Sequence, residues 1–439
     1  MIPAGRDGAV RLDGLVLRDH WFDVPLDHAV PGGAGGAGGS GETIRLYARE
    51  AVAADRAASG SDRDLPWLLF LQGGPGGKAT RPAGASGWVG RAVKDFRVLL
   101  LDQRGTGRST PATAATLARR GDAAAQAEYL AHFRADAIVA DAELIRRRLA
   151  GDSPWHVLGQ SYGGFCSLTY LSFAPEGLAS VMLTGGLAPV AVGADDVYAA
   201  TYRTVERKNE QFHAAFPQAR AQLEAVAAFV RANDVVLLDG SPLTVPRLQA
   251  LGHGLGANSA IPGLAYLLEE AFAADGVLSD TFLVGAWQTL SFATQPLYAV
   301  VHEACYAHNA STRWSAARVG AELPQFAPGA DPLLFTGEMI YPWMFEHDPA
   351  LVPLRETAQL LAEREWGPLY DLDRLAANEV PVAAALYTED MYVDAGLSRD
   401  TAARVRGLRA WETNAHEHDG LRETEDVVDR LIRMNRGEL

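Results

Sequence analysis

The sequence predicts an α/β protein: a mostly parallel sheet with helices on both faces and a mainly helical segment inserted in the core. Three observations carry that prediction. Short continuous apolar runs, "PWLLFL", "FRVLLL", "WHVLG" and "ASVML", alternate with helical stretches in the first half, as strands buried on both faces require. Each run ends in a glycine-containing loop. The rhythm then breaks from about residue 190 to 360 and returns in "VPVAAALYTEDMYVD". The expected organisation is a first part of the core over 1–189, a helical cap over 190–360 and the second part of the core over 361–439.

The elements follow in order. "LVLRDHWFDVPL" and "ETIRLYAREAVA" read as two strands, joined by the glycine run "PGGAGGAGGSG" as a hairpin connection. "PWLLFLQGGPGG" and "FRVLLLDQRGTGRS" are buried strands with polar, glycine-rich ends. "FRADAIVADAELIRRRLAG" puts Ala135, Ile138, Val139, Ala142, Ile145 and Leu149 on one helical face. "WHVLGQS" is a strand and "YGGFCSLTYLSFAP" a helix that stops near Pro175. The insertion carries helical patterns such as "YAATYRTVERKNEQFHAAF" and "RAQLEAVAAFVRAN". "RGLRAWETNAHEHDG" supplies a last strand and loop, and "RETEDVVDRLIRM" a closing helix. In such sheets ligands bind beyond the carboxyl ends of the strands, where these glycine-rich loops fall.

Composition narrows the function. The chain has 439 residues, 48% of them hydrophobic, enough for a large core. Its 39 basic and 54 acidic side chains give a net charge of −15, which disfavours nucleic acid as a partner. Cys166 and Cys305 are too few for a disulfide framework or a zinc site of cysteine type, and their apolar surroundings predict buried thiols. "MIPAGRDGAVRLDG" lacks the apolar stretch of a secretory signal, and no apolar run reaches the length of about 20 residues that spans a bilayer. A cytoplasmic protein away from the membrane is expected, with no cofactor.

"GQSYGG" holds Ser161 between Gly159 and Gly163 at a strand-to-helix turn. Such a turn strains the serine backbone and needs neighbours without a β-carbon, so the pattern predicts a nucleophile elbow. A serine hydroxyl becomes a nucleophile only with a base beside it and a third group to orient that base. In α/β-hydrolases the acid and the histidine follow the serine in chain order. The loop after "PVAAALY" offers Glu389, Asp390 and Asp394, with Asp390 placed to turn back over the active edge. The next loop, "NAHEHDG", offers His416 and His418, and no further nearby His or Cys completes a metal site. Two backbone donors must face the developing oxyanion. The N–H of Tyr162 is one, and Gly74 or Gly73 in "QGGPGG" supplies the other. The loop lacks the Lys-Ser/Thr ending of a phosphate cradle.

Taken together, "GGPGG", "DQRGTGRS" and "GQSYGG" resemble the proline iminopeptidases (prolyl aminopeptidases), serine peptidases with the α/β-hydrolase fold. "FTGEMIYPWMFE", "EDMYVD" and "EHDGLR" resemble the longer-chain branch of that family, so the likeness runs over about residues 65 to 425. Gln72 departs from it, since shorter members usually carry histidine before the two glycines. The resemblance implies Ser161 as nucleophile, Asp390 as acid, His418 as base and peptides with a free N-terminal proline as substrates. It also implies cap acids that bind the substrate amine, for which Glu338 and Glu303 are the candidates, and Tyr341, Trp343 and Phe345 as walls for the pyrrolidine ring. An esterase or broad amide hydrolase on the same fold is the alternative within catalysis, since fold does not fix substrate. A binding protein that kept the hydrolase shell is the alternative outside it; the complete set of serine, acid and histidine argues against that.

Overall fold

In the computed structural model, which describes residues 9–29, 41–273 and 276–439, all the strands join one sheet. Nine strands are ordered β1-β2-β3-β5-β4-β6-β7-β8-β9. They are β1 (Val10–Leu12), β2 (Leu15–Pro25), β3 (Thr43–Ala53), β4 (Trp67–Leu71), β5 (Arg97–Asp102), β6 (Trp155–Gln160), β7 (Leu178–Thr184), β8 (Val382–Tyr387) and β9 (Leu408–Thr413). The first four in spatial order pair antiparallel; every pairing from β5 through β4 to β9 is parallel. The predicted hairpin forms between β2 and β3, which pair from Leu15↔Ala53 to Pro25↔Thr43. Residues 31–40 of its glycine run lie outside the described residues.

Alternation along the parallel strands explains why they read as unbroken apolar runs. Leu69, Leu71, Leu99, Leu101, Val157 and Leu183 pack on one face of the sheet. Leu68, Phe70, Val98, Leu100, Leu158 and Met182 pack on the other. Helices Ala135–Ala150 and Tyr162–Phe173 cover the first face. Helices Gly87–Ala92 and Asp426–Asn435 cover the second. With both faces dry, each strand interior must be apolar.

Strand order also fixes where the chemistry can sit. From β4 the chain steps outward to β5, then returns to β6 on the other side of β4. That reversal opens a crevice at the carboxyl ends of β4 and β6. The loop after β4 begins at Gln72, and β6 runs directly into Ser161. Between β7 and β8 the described chain is built of helices, from Ala194–Ala215 to Leu372–Ala376, with only the isolated bridges Val236↔Pro242 and Phe272↔Leu278. No helix among the described residues is long and apolar enough to cross a membrane.

Candidate active site

Ser161 has φ 56° and ψ −125°, between the last residue of β6 and the first of helix Tyr162–Phe173. A side-chain-bearing residue in that region is strained, and the surroundings hold it there. A β-carbon on Gly163 would overlap the Leu71 carbonyl of β4, and one on Gly159 would overlap the Gly163 carbonyl. Both glycines of the elbow are therefore demanded by contact with neighbouring backbone. The Ser161 amide donates to Thr184 O of β7 at 3.0 Å, and its carbonyl accepts from Gly164 N–H at 2.7 Å.

The loop Gln72–Gly77 faces the serine from the end of β4. A β-carbon on Gly73 would stand 2.8 Å from the Ser161 β-carbon. Gly74 has φ +145°, a conformation that favours glycine. Among the described residues the amides of Gly74 and Tyr162 have no hydrogen-bond partner. The motif "DQRGTGRS" holds this loop in place. Gln103 donates to the Gln72 carbonyl at 3.0 Å, and Asp102 accepts from Ala79 N–H at 3.0 Å and Arg108 N–H at 2.9 Å. Gln72 itself donates to Gln160 Oε1 at 3.2 Å, so the residue that departs from the shorter relatives' histidine is bound into the wall.

At the ends of β8 and β9 the structure separates the rival acids and bases. His418 Nδ1 lies 2.7 Å from Asp390 Oδ2, and both residues are buried. Asp390 Oδ1 accepts the amides of Tyr392 at 2.8 Å and Val393 at 3.0 Å, which fixes the carboxylate. Asp394 instead accepts from Leu397 N–H at 2.9 Å and starts helix Ala395–Arg404. His416 turns outward to Glu423, 2.7 Å away. Glu389 accepts from the Gln211 amide at the surface. Burial pulls the His418 basicity down, but the Asp390 carboxylate outweighs it and raises the pKa above the usual histidine value. The base loop is pinned to the cap by Lys208–Glu417 at 2.5 Å, His418 N–H to Gly256 O at 3.2 Å, and Ser259 Oγ to Asp419 at 2.8 Å.

Ser161, His418, Gly73, Gly74 and Glu338 line one cavity of about 440 Å³. Glu338 also borders a smaller cavity of about 180 Å³ with Phe292, Met339, Ile340 and Met344. Its carboxylate accepts a hydrogen bond from Tyr298 Oη. Loss of solvent raises the Glu338 pKa to about 7, against the opposing pull of the Tyr298 hydroxyl and the nearby His418. An ammonium drawn to this spot would restore the charge. Tyr298 belongs to helix Pro296–Val301, which lies directly on the Gly76 turn: a β-carbon there would stand 2.8 Å from Tyr298 N.

The other expected cap residues lie elsewhere. Glu303 does not reach either cavity. Its oxygens accept Ser315 N–H at 3.0 Å and Ala316 N–H at 2.9 Å, so the carboxylate serves the start of helix Ser315–Ala321. Tyr341 is bound to Tyr202, hydroxyl to hydroxyl at 2.8 Å, and Trp343 stacks on it at 5.6 Å. Phe345 is buried against Trp314. The aromatics satisfy one another, and their chain neighbours Ile340 and Met344 face the smaller cavity instead. Sequence reasoning missed Tyr298, His253 and Tyr392, which all line the main cavity. Burial lowers the His253 pKa to about 4, so its ring is neutral beside the base. Tyr392 packs edge-on to His418 at 4.8 Å and donates to His253 O at 2.5 Å. The only local signal was an aromatic just after the acid in "EDMYVD" and one five residues before Glu303.

Comparison with known proteins bears directly on this arrangement. Residues 66–230 match the family described as alpha/beta hydrolase fold. The chain is 51% identical to a proline iminopeptidase of Aeromonas sobria over 97% of its length and 98% of that protein. It is 35% identical to the proline iminopeptidase aneH of Aspergillus aculeatus over 93% of its length and 91% of that protein. A proline iminopeptidase of Neisseria gonorrhoeae matches 29% of the chain and 34% of its own length, at 35% identity.

Proposed function

The chain belongs to the proline iminopeptidase family of α/β hydrolases, and we propose that it releases proline from the free N-terminus of peptides through an acyl-enzyme on Ser161. The observation that carries the reading is the His418–Asp390 pair, 2.7 Å apart, beside the same cavity as Ser161 and the half-buried Glu338. In this mechanism Ser161 Oγ attacks the prolyl carbonyl while His418 Nε2 takes its proton. Asp390 holds the other ring nitrogen and stabilises the imidazolium. The amides of Tyr162 and Gly74 receive the oxyanion. His418 then returns its proton to the leaving amine, and the C–N bond breaks. A water, deprotonated by His418, attacks the prolyl ester and frees proline and the serine hydroxyl.

Glu338 is the ruler in this scheme. A carboxylate that pairs with the prolyl ammonium admits only the first peptide bond to Ser161, and the smaller cavity beside it offers Phe292, Met339, Ile340 and Met344 as an apolar side for the pyrrolidine ring. The cap over residues 190–360 is the part of the chain that carries this selectivity. A cytoplasmic setting belongs to the same proposal and is supported by Cys166 and Cys305, both buried and free.

A panel of aminoacyl chromogenic amides, each with and without N-acetyl blocking, tests the reading. Prolyl amide is expected to be hydrolysed fastest, and acetylation to abolish its turnover. Hydrolysis of acetylated and free substrates at equal rates would make this a broad amidase or esterase. A serine-directed fluorophosphonate that failed to label Ser161 would remove catalysis altogether.

A further inference from the structure

The main cavity is electrically lopsided. It is lined by the half-buried carboxylate of Glu338 and by Lys78 and Arg422, which are exposed to solvent. Lys78 follows Gly77 at the end of the turn after β4, and Arg422 lies in the short helix Gly420–Glu423 behind His418. Many exposed arginines of this chain hold a carboxylate, as Arg318 holds Asp195 and Arg404 holds Asp400. Lys78 and Arg422 hold none: among the described residues neither side chain has a hydrogen bond or ion pair. In a chain of net charge −15, two exposed cations without an ion pair line the cavity that holds Ser161. Asp419, the acid nearest in sequence to Arg422, is engaged with Asn258 N–H and Ser259 Oγ.

An inner anion and outer cations complement a zwitterion. We propose that Lys78 and Arg422 receive the C-terminal carboxylate of a short peptide, so that proline-led di- and tripeptides with a free carboxylate are the favoured substrates. This assignment rests on the reading of Glu338 as the site of the substrate ammonium. Size agrees with charge. A tripeptide extends at most about 11 Å, and a cavity of about 440 Å³ is in the range that holds a ligand of that size. In a longer peptide the terminal carboxylate lies beyond the mouth, and the preference is lost. Exposure to water keeps each contact modest, and salt weakens it.

The test measures proline release from Pro-Gly-Gly and from its C-terminal amide. Wild-type kcat/KM is expected to favour the free acid about three- to tenfold at low ionic strength. That ratio should fall toward one in 0.5 M salt and in a Lys78→Gln/Arg422→Gln double variant. Arg404→Gln, which removes a distant surface charge, should keep the wild-type ratio. Equal rates on acid and amide in the wild type overturn the proposal, as does a preference that survives in the double variant. A Pro-Asp-Gly amide hydrolysed as well as the free acid would assign the cations to acidic side chains and overturn the terminal-carboxylate assignment. Absence of proline release from every peptide overturns the prolyl reading itself, an outcome distinct from release at equal rates.

Discussion

The acid and imidazole at the sheet edge, Asp390 and His418, are engaged, whereas several polar side chains of the cap are not. On the core side, Asp390 has His418 on one oxygen and two amides on the other, and the base loop is pinned at three further points. In the cap, both ring nitrogens of His302 and of His213 and the hydroxyl of Tyr198 lack a partner among the described residues. Glu338 has one hydroxyl, from Tyr298. Engaged groups hold one geometry before substrate arrives, which is what stabilising a transition state requires. A half-buried carboxylate with a single hydrogen bond gains from a cation. The core is thus built to react and the cap to be completed by what it binds.

That contrast predicts effects of different kind as well as size. The largest belongs to the core: Ser161→Ala should cut kcat by about 10⁴-fold or more while leaving the melting temperature nearly unchanged, because triad members act as a unit. His418→Ala and Asp390→Asn should follow closely, by about 10³- to 10⁴-fold. His416→Ala and Asp394→Asn should stay within a few-fold, since one side chain faces Glu423 and the other caps a helix, a task asparagine also performs. Steady-state kinetics of the five purified variants check the order. A more sensitive His416 or Asp394 would reverse the assignment.

The two cap glutamates sharpen the comparison, because one is held by two backbone amides and the other by a single hydroxyl. Glu338→Gln keeps the shape of the wall but leaves a bound ammonium without its counter-charge. Losing one partner of such a pair costs about 2–5 kcal/mol, roughly 30- to several-thousand-fold in kcat/KM for prolyl amides. An activated ester without an amine should lose far less. Glu303→Gln should do the opposite. It weakens the carboxylate at the start of helix Ser315–Ala321, by about 1 kcal/mol, so the melting temperature drops by a few degrees. The ratio of prolyl amide to ester turnover should not move. A shift of that ratio in Glu303→Gln would return the residue to the substrate.

These glutamates also show how far the chain could be read in advance. The elbow was legible because Gly159, Ser161 and Gly163 are local in sequence and their constraint is local in space. His418 and Asp390 were legible because a parallel sheet brings successive strand ends to one edge, whatever the intervening chain does. Glu303 and Glu338 look alike in sequence, each an acid among aromatics. What separates them is distant: a helix begins at Ser315 against one, and Tyr298 and the cavity meet the other. Cap helices pack by their side chains, with no ladder of backbone bonds to set a register, so which aromatic faces a cavity is decided by contacts such as Tyr202 with Tyr341. No sequence period encodes that.

A smaller effect than that of Glu338→Gln, confined to low pH, is expected from Tyr298→Phe, and it isolates the charge on Glu338. Binding a prolyl ammonium requires the carboxylate form, so kcat/KM should fall as pH drops through about 7, where Glu338 takes up its proton. His418 also gains its proton on the acid side, and its raised pKa adds to the same limb. An amine-free ester feels only His418, so the ratio of prolyl amide to ester turnover follows Glu338 on the acid side and the substrate's own amine, which loses its proton at about pH 8, on the alkaline side. In the wild type that ratio should rise as pH passes through about 7. The Tyr298 hydroxyl favours the charged carboxylate, so its removal should push the pKa higher. A hydrogen bond to a charged group contributes about 1.5 kcal/mol, or roughly one pH unit. Tyr298→Phe should therefore match wild type at pH 9 and lose about tenfold in the ratio at pH 6. An unmoved midpoint would mean that the hydroxyl is packing only, and a downward shift would mean that it favours the neutral carboxyl instead of the carboxylate.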